Sequence, residues 1–107
     1  MQVLLTDGAA RDLDEWYAAA YARGGHLAAA RSLERIGSVL EGISSGRLRD
    51  ESLPELRYLG RHLERQVVTD DGLKIVFRRD ADRLLVVLIE PVNRSYQTLL
   101  ERRLLDA

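Results

Sequence analysis

Cysteine is absent from the 107 residues, which excludes a disulfide framework, a thiolate nucleophile and a thiolate metal site. Histidine is nearly absent too. His26 and His62 stand far apart with no partner at the spacing of a zinc helix, so neither a metal nor another cofactor is expected. Long apolar runs are missing: Trp16 to Ala22 spans seven residues and Leu84 to Ile89 six, against the roughly 20 needed to cross a bilayer. No membrane partner is expected. The first residues carry no basic region ahead of an apolar stretch and no small-residue cleavage site, which makes a cytoplasmic location the expectation. Charge of one sign is lacking as well. With 16 basic and 17 acidic residues the net charge is −1, so bulk charge does not call for nucleic acid, and phosphate would need a local cationic patch.

What is present is a folding sequence. Hydrophobic residues make up 46% and charged residues 31%, enough for a core, and the length supports one domain over residues 1–107. The basic residues are almost all arginine, Lys74 being the sole lysine. Arginine's planar fork suits bidentate binding of phosphate or carboxylate.

The short apolar segment Gln2 to Thr6 reads as a first strand, closed by Thr6-Asp7-Gly8 with Asp7 as the cap of a helix. From Ala9, apolar residues at Ala10, Leu13, Trp16, Tyr17, Ala20 and Tyr21 follow helical spacing, and Arg23-Gly24-Gly25 ends that helix. A second helix carries Ala29, Leu33, Ile36, Leu40 and Ile43, a seam for an antiparallel neighbour across the Gly-Gly turn. The stretch from Ser44 to Pro54 reads as a loop, and Leu56 to Gly60 as a short turn. Three strands follow, Leu63 to Thr69, Leu73 to Arg79 and Leu84 to Ile89, the first two joined at Asp71-Gly72 as a tight hairpin. Ser95 to Leu105 puts Tyr96, Leu99, Leu100 and Leu104 at helical spacing, with Arg103 interrupting the stripe. The expected fold is α+β: an N-terminal strand, a two-helix hairpin packed on an antiparallel sheet of three further strands, and a short C-terminal helix.

A two-residue turn at Asp71-Gly72 pairs Val68 with Ile75, Gln66 with Phe77 and Arg65 with Arg78. That register sets Val68, Leu73, Ile75 and Phe77 toward the helices. It places Arg65, Lys74 and Arg78 together on the other, open face with Val67, Thr69 and Val76. Like charges directly opposite repel, so the cluster calls for an anion or for a neutralising acid such as Glu55 or Glu90.

The layout carries four short motifs: Ala10-x-Asp12-Leu13, Leu59-Gly60-x-x-Leu63-x-Arg65, Gly72-Leu-Lys-Ile-Val-Phe77, and Asn93-Arg94-Ser95-Tyr96 ahead of a tail ending Arg102-Arg103-Leu104. In this order the chain resembles the RelE/ParE superfamily of bacterial toxins, closest to its HigB-type branch. Lys74 stands where that superfamily commonly has arginine, and Phe77 where it has tyrosine. The resemblance implies the toxin of a type II toxin-antitoxin system, held inactive by a cognate antitoxin. In the RelE and HigB branches it implies a ribosome-dependent, metal-independent mRNA endoribonuclease, an mRNA interferase that inhibits translation and causes growth arrest. Carried over by position, Arg65 and Lys74 would bind the scissile phosphate, Arg78 and Arg94 would assist, and Tyr96 would stack on a base or move a proton. No histidine lies near the C-terminus to act as acid or base. The ParE branch, which poisons DNA gyrase without nuclease chemistry, is the alternative. A non-catalytic interaction module whose open face takes an acidic peptide is a third reading.

Overall fold

Thr6 opens the first helix from an extended backbone (φ −65°, ψ 164°), and its hydroxyl accepts a hydrogen bond from the Ala9 N–H at 3.2 Å. That bond satisfies one of the donors a helix start leaves unpaired. Asp7, expected as the cap, instead lies in the first turn, where the helix dipole favours an acid. The helix, α1, runs Asp7–Ser44 and is one long element, not the expected two-helix hairpin. Gly24 (φ −149°, ψ 15°) and Gly25 (φ 74°, ψ −159°) leave helical geometry inside it and form a kink. The geometry of Gly25 is open only to glycine. At the far end the Ser45 N–H bonds to Glu41 O at 2.9 Å, and Gly46, at φ 81°, bonds to Ile43 O at 3.2 Å.

The computed structural model describes residues 1–54, 63–92 and 97–106. Five strands form one mixed sheet in the order β1-β5-β4-β3-β2: β1 Gln2–Leu5, β2 Glu51–Ser52, β3 Glu64–Val68, β4 Leu73–Asp80 and β5 Arg83–Pro91. β1 runs parallel to β5, and β2 to β5 pair antiparallel. The expected three-strand meander is β3–β4–β5. β2 lies in the segment read as a loop, where Glu51 pairs with Gln66 and Ser52 with Arg65. A short helix, α2, spans Gln97–Asp106. No helix among the described residues is long and apolar enough to cross a membrane.

The hairpin register differs from expectation by one residue. Val68 pairs with Lys74, Val67 with Ile75, Gln66 with Val76, Arg65 with Phe77 and Glu64 with Arg78. The loop holds three residues, Asp70-Asp71-Gly72, rather than two. The Thr69 N–H bonds to Leu73 O, the Gly72 N–H bonds to Thr69 O, and Gly72 sits at φ 90°. The Thr69 hydroxyl also accepts from the Leu73 N–H at 3.0 Å. This is the turn-plus-bulge alternative to a two-residue hairpin, and because side chains alternate, it moves every residue of β3 to the opposite face.

Two apolar clusters follow from these faces. Leu73, Ile75 and Phe77 of β4 meet Val67, Leu84, Val86 and Ile89, and α1 covers them with Ala9, Leu13, Trp16, Ile36, Val39, Leu40 and Ile43. On the other face Val76, Val87 and Leu88 meet Leu53 and, from α2, Leu100 and Leu104. Both halves of α1 therefore lie on one side of the sheet, with α2 on the other. Between Val76 and Phe77 the β4–β5 ladder skips Val87, a β-bulge.

Candidate functional site

Among the described residues expected to form a cationic site, Arg65 is not brought together with Lys74 and Arg78. Arg65, paired with Phe77, lies on the α1 face, where its Nε donates to Asp50 Oδ1 at 2.7 Å and its Nη2 to the Asp50 carbonyl at 3.2 Å. Arg79 binds the other Asp50 oxygen at 2.8 Å, reaches Ile43 O at 3.2 Å and lies 5.1 Å from the Phe77 ring centroid. Burial alone would push the Asp50 carboxyl upward. The hydrogen bonds and charges of Arg79 and Arg65 outweigh it, and the group titrates below its ordinary value.

Lys74 and Arg78 share the opposite face, but that face is not open at Lys74, whose relative exposure is 4%. Lys74 stands between Val68 and Glu90, and Arg78 between Glu64 and Leu85. Four residues apart on one strand, the two are separated by about 13 Å along the backbone. The expected cluster of three guanidinium and ammonium groups on one uncovered face is corrected on both counts. Arg94 and Tyr96, like Glu55 and His62, lie outside the described residues. Val68, expected in the core, is 45% exposed, while Val67 is 5% exposed and packs under α1.

A different constellation does converge, at the free edge of β5 beyond the end of β1. Asp12, buried on α1, accepts from the Ile89 N–H at 2.9 Å, and the Trp16 indole N–H donates to Ile89 O at 3.1 Å. Arg103 of α2 closes the group. Its Nη2 lies 2.7 Å from Asp12 Oδ1, and its Nη1 binds Asp12 Oδ2 at 2.9 Å and Val87 O at 3.1 Å. Glu90 Oε1 is 3.9 Å from the same guanidinium. The hydrogen bonds to Asp12 strengthen proton binding by Arg103 against the cost of its burial, with the charges of Asp12, Glu90 and Glu15 adding to them. In effect the side chains of two helices bond to an edge that β1 is too short to cover, which is one way a sheet avoids an open edge.

Beside this pair a cleft of about 320 Å³ is lined by Asp12, Glu15, Trp16, Ala19, Arg23, Glu90 and Pro91. Carboxylate oxygens of Asp12, Glu15 and Glu90 lie within 4.8 Å of one another. Three acids this close favour a cation, and Arg103 supplies one. Both oxygens of Asp12 are engaged by Arg103, so a metal ion taking all three acids would have to sit beside the guanidinium charge. Asp12 belongs to the first of the four motifs, and Arg103 was visible as the charge that interrupts an apolar stripe. Nothing in the sequence linked the two, and nothing marked Asp50.

No family model, curated protein or solved structure matches this chain.

Proposed function

We propose that the chain is a toxin of the RelE/ParE kind that acts by binding a macromolecular target, as ParE-like gyrase inhibitors do, and not by cutting mRNA. The toxin part rests on the succession of elements: a first strand, a kinked helix on one sheet face, an antiparallel meander and a final helix on the other face. Binding in place of cleavage rests on one observation. Arg65 and Lys74 occupy opposite faces of the sheet, with Arg65 held by Asp50 and Lys74 buried. In-line attack on a phosphodiester needs cationic groups gathered around one phosphate, and these two cannot serve it jointly. Ribosome-dependent cleavage stays the reading to be separated from this one, since Lys74 and Arg78 do share a face.

Inducible expression in a bacterial host, combined with two assays on purified protein, makes the separation. Growth arrest, undiminished cell-free translation and loss of gyrase supercoiling activity are the expected results. Translation arrest with fragmented mRNA would overturn the binding mechanism. Normal growth at high expression would overturn the toxin reading and leave an interaction module.

A further inference from the structure

The hydrogen bonds of α1 divide at Gly24-Gly25. Residues ahead of the kink bond to β5 and its surroundings: the Gln2 N–H to Asp82 O, the Thr6 N–H to Val86 O, Asp12 to the Ile89 N–H and Arg103, and Trp16 to Ile89 O. Residues behind it bond elsewhere, Arg35 to Thr69 and Asp71, and the Ile43 carbonyl to Arg79. The first 23 residues therefore form an arm, a strand and a half-helix, docked along one edge of the body.

Both glycines at the joint hold the kink because they lack a β-carbon. At Gly25, φ is 74°, a value side chains resist. A β-carbon on Gly24 would stand 2.8 Å from the Ala28 Cβ. In an unbroken α-helix neither obstacle exists, and alanine is favoured over glycine at every interior position. An unbroken α1 of 38 residues would be about 57 Å long at 1.5 Å per residue, whereas the longest dimension of the molecule is 43 Å. A straightened α1 thus carries its arm away from its own β5. A surface already complementary to that arm is then the β5 edge of a second copy.

We propose that Gly24-Gly25 is a hinge for arm exchange: with α1 straightened, two copies of this chain dock residues 1–23 onto each other's β5, and the Asp12–Arg103 pair forms between copies. Such an exchange needs no new interface, because each contact of the closed monomer is remade with the other chain.

The test uses the full chain with Gln2→Cys and Arg83→Cys, exposed register partners on β1 and β5, in a protein with no native cysteine. With the hinge intact and the protein dilute, the cross-link closes within one chain. Gly24→Ala combined with Gly25→Ala should raise the dimer fraction in light scattering by about tenfold or more and turn the cross-link into one between chains on a non-reducing gel. A doubly substituted protein that is monomeric, with undiminished helical circular dichroism and only internal cross-links, would overturn the proposal. Wild-type hinge protein refolded at millimolar concentration gives an independent reading even if the double variant does not fold. Cross-links between chains support the exchange, and internal cross-links alone overturn it.

Discussion

The two faces of the sheet are made by the same strands and have different interiors. Toward α1, Leu73, Ile75, Phe77, Leu84, Val86 and Ile89 form a nearly continuous apolar floor. Its cations, Arg65 and Arg79, are confined to one end and share Asp50. Toward α2, Val76, Val87 and Leu88 are interspersed with Glu64, Gln66, Lys74 and Glu90, each of them buried. Burying polar and charged groups costs free energy even when they are well partnered. The α1 face is therefore where stability is concentrated, and the α2 face keeps groups that an optimally stable core would omit.

Four substitutions bear on this contrast. The largest effect should come from Phe77→Ala, which empties the centre of the α1 face. A loss of about 4 kcal/mol is expected in urea or guanidinium unfolding, and a loss under 1 kcal/mol would mean that this face is not the main store of stability. Next is Arg103→Met, which removes the clip between the helices and strands the buried Asp12 carboxylate. The expected loss is about 3 kcal/mol, largely recovered when Asp12 is changed to Leu in the same chain. If both single variants were neutral, the free edge of β5 would not depend on this pair.

Asp50→Asn should cost about 1 kcal/mol at neutral pH and alter the acid limb of stability. The folded carboxyl binds its proton more weakly than the unfolded one. Its contribution is thus complete above the ordinary carboxylate pKa, about 4, and is lost as pH falls through the lower folded value. Stability measured from pH 6 down to pH 2 should fall less steeply in Asp50→Asn than in the parent, and parallel curves would assign the acid sensitivity elsewhere. The smallest effect is expected on the α2 face. Gln66 donates to Glu51 at 3.0 Å, while its buried carbonyl oxygen accepts no hydrogen bond among the described residues. Gln66→Leu removes that unsatisfied group and should leave stability unchanged within about 0.5 kcal/mol or raise it. A loss comparable to that of Phe77→Ala would erase the distinction between the faces.

Much of the architecture was legible because it depends on periodicity. The helical spacing around Trp16 and Ile36, the β-rich segments flanking Asp71-Gly72 and the apolar run from Leu84 all mark elements the fold contains. The helix count was misread at Gly24-Gly25, where only two residues leave helical geometry and kink one continuous element. The hairpin face was misread for a more instructive reason. Asp70-Asp71-Gly72 is compatible with a loop of two residues or of three, and the choice is made by Thr69, whose backbone and hydroxyl both bond to Leu73. That single residue of loop length decides whether Arg65 stands beside Lys74 or behind it. Asp12 and Arg103 were visible separately as charges within apolar patterns, but their meeting depends on how α1 and α2 cross the end of β5, which no local pattern encodes.

Val87 gives the bulge in β5 a use. A chain lacking this one residue could close the ladder from Leu88 to Val86 without interruption and keep each remaining side chain on its present side. What it would lose is the displaced carbonyl, which now receives Arg103 at 3.1 Å and the Thr6 hydroxyl at 3.4 Å. The supernumerary residue thus acts as a socket, superfluous to the strand that contains it and used by the start of one helix and the last turn of another.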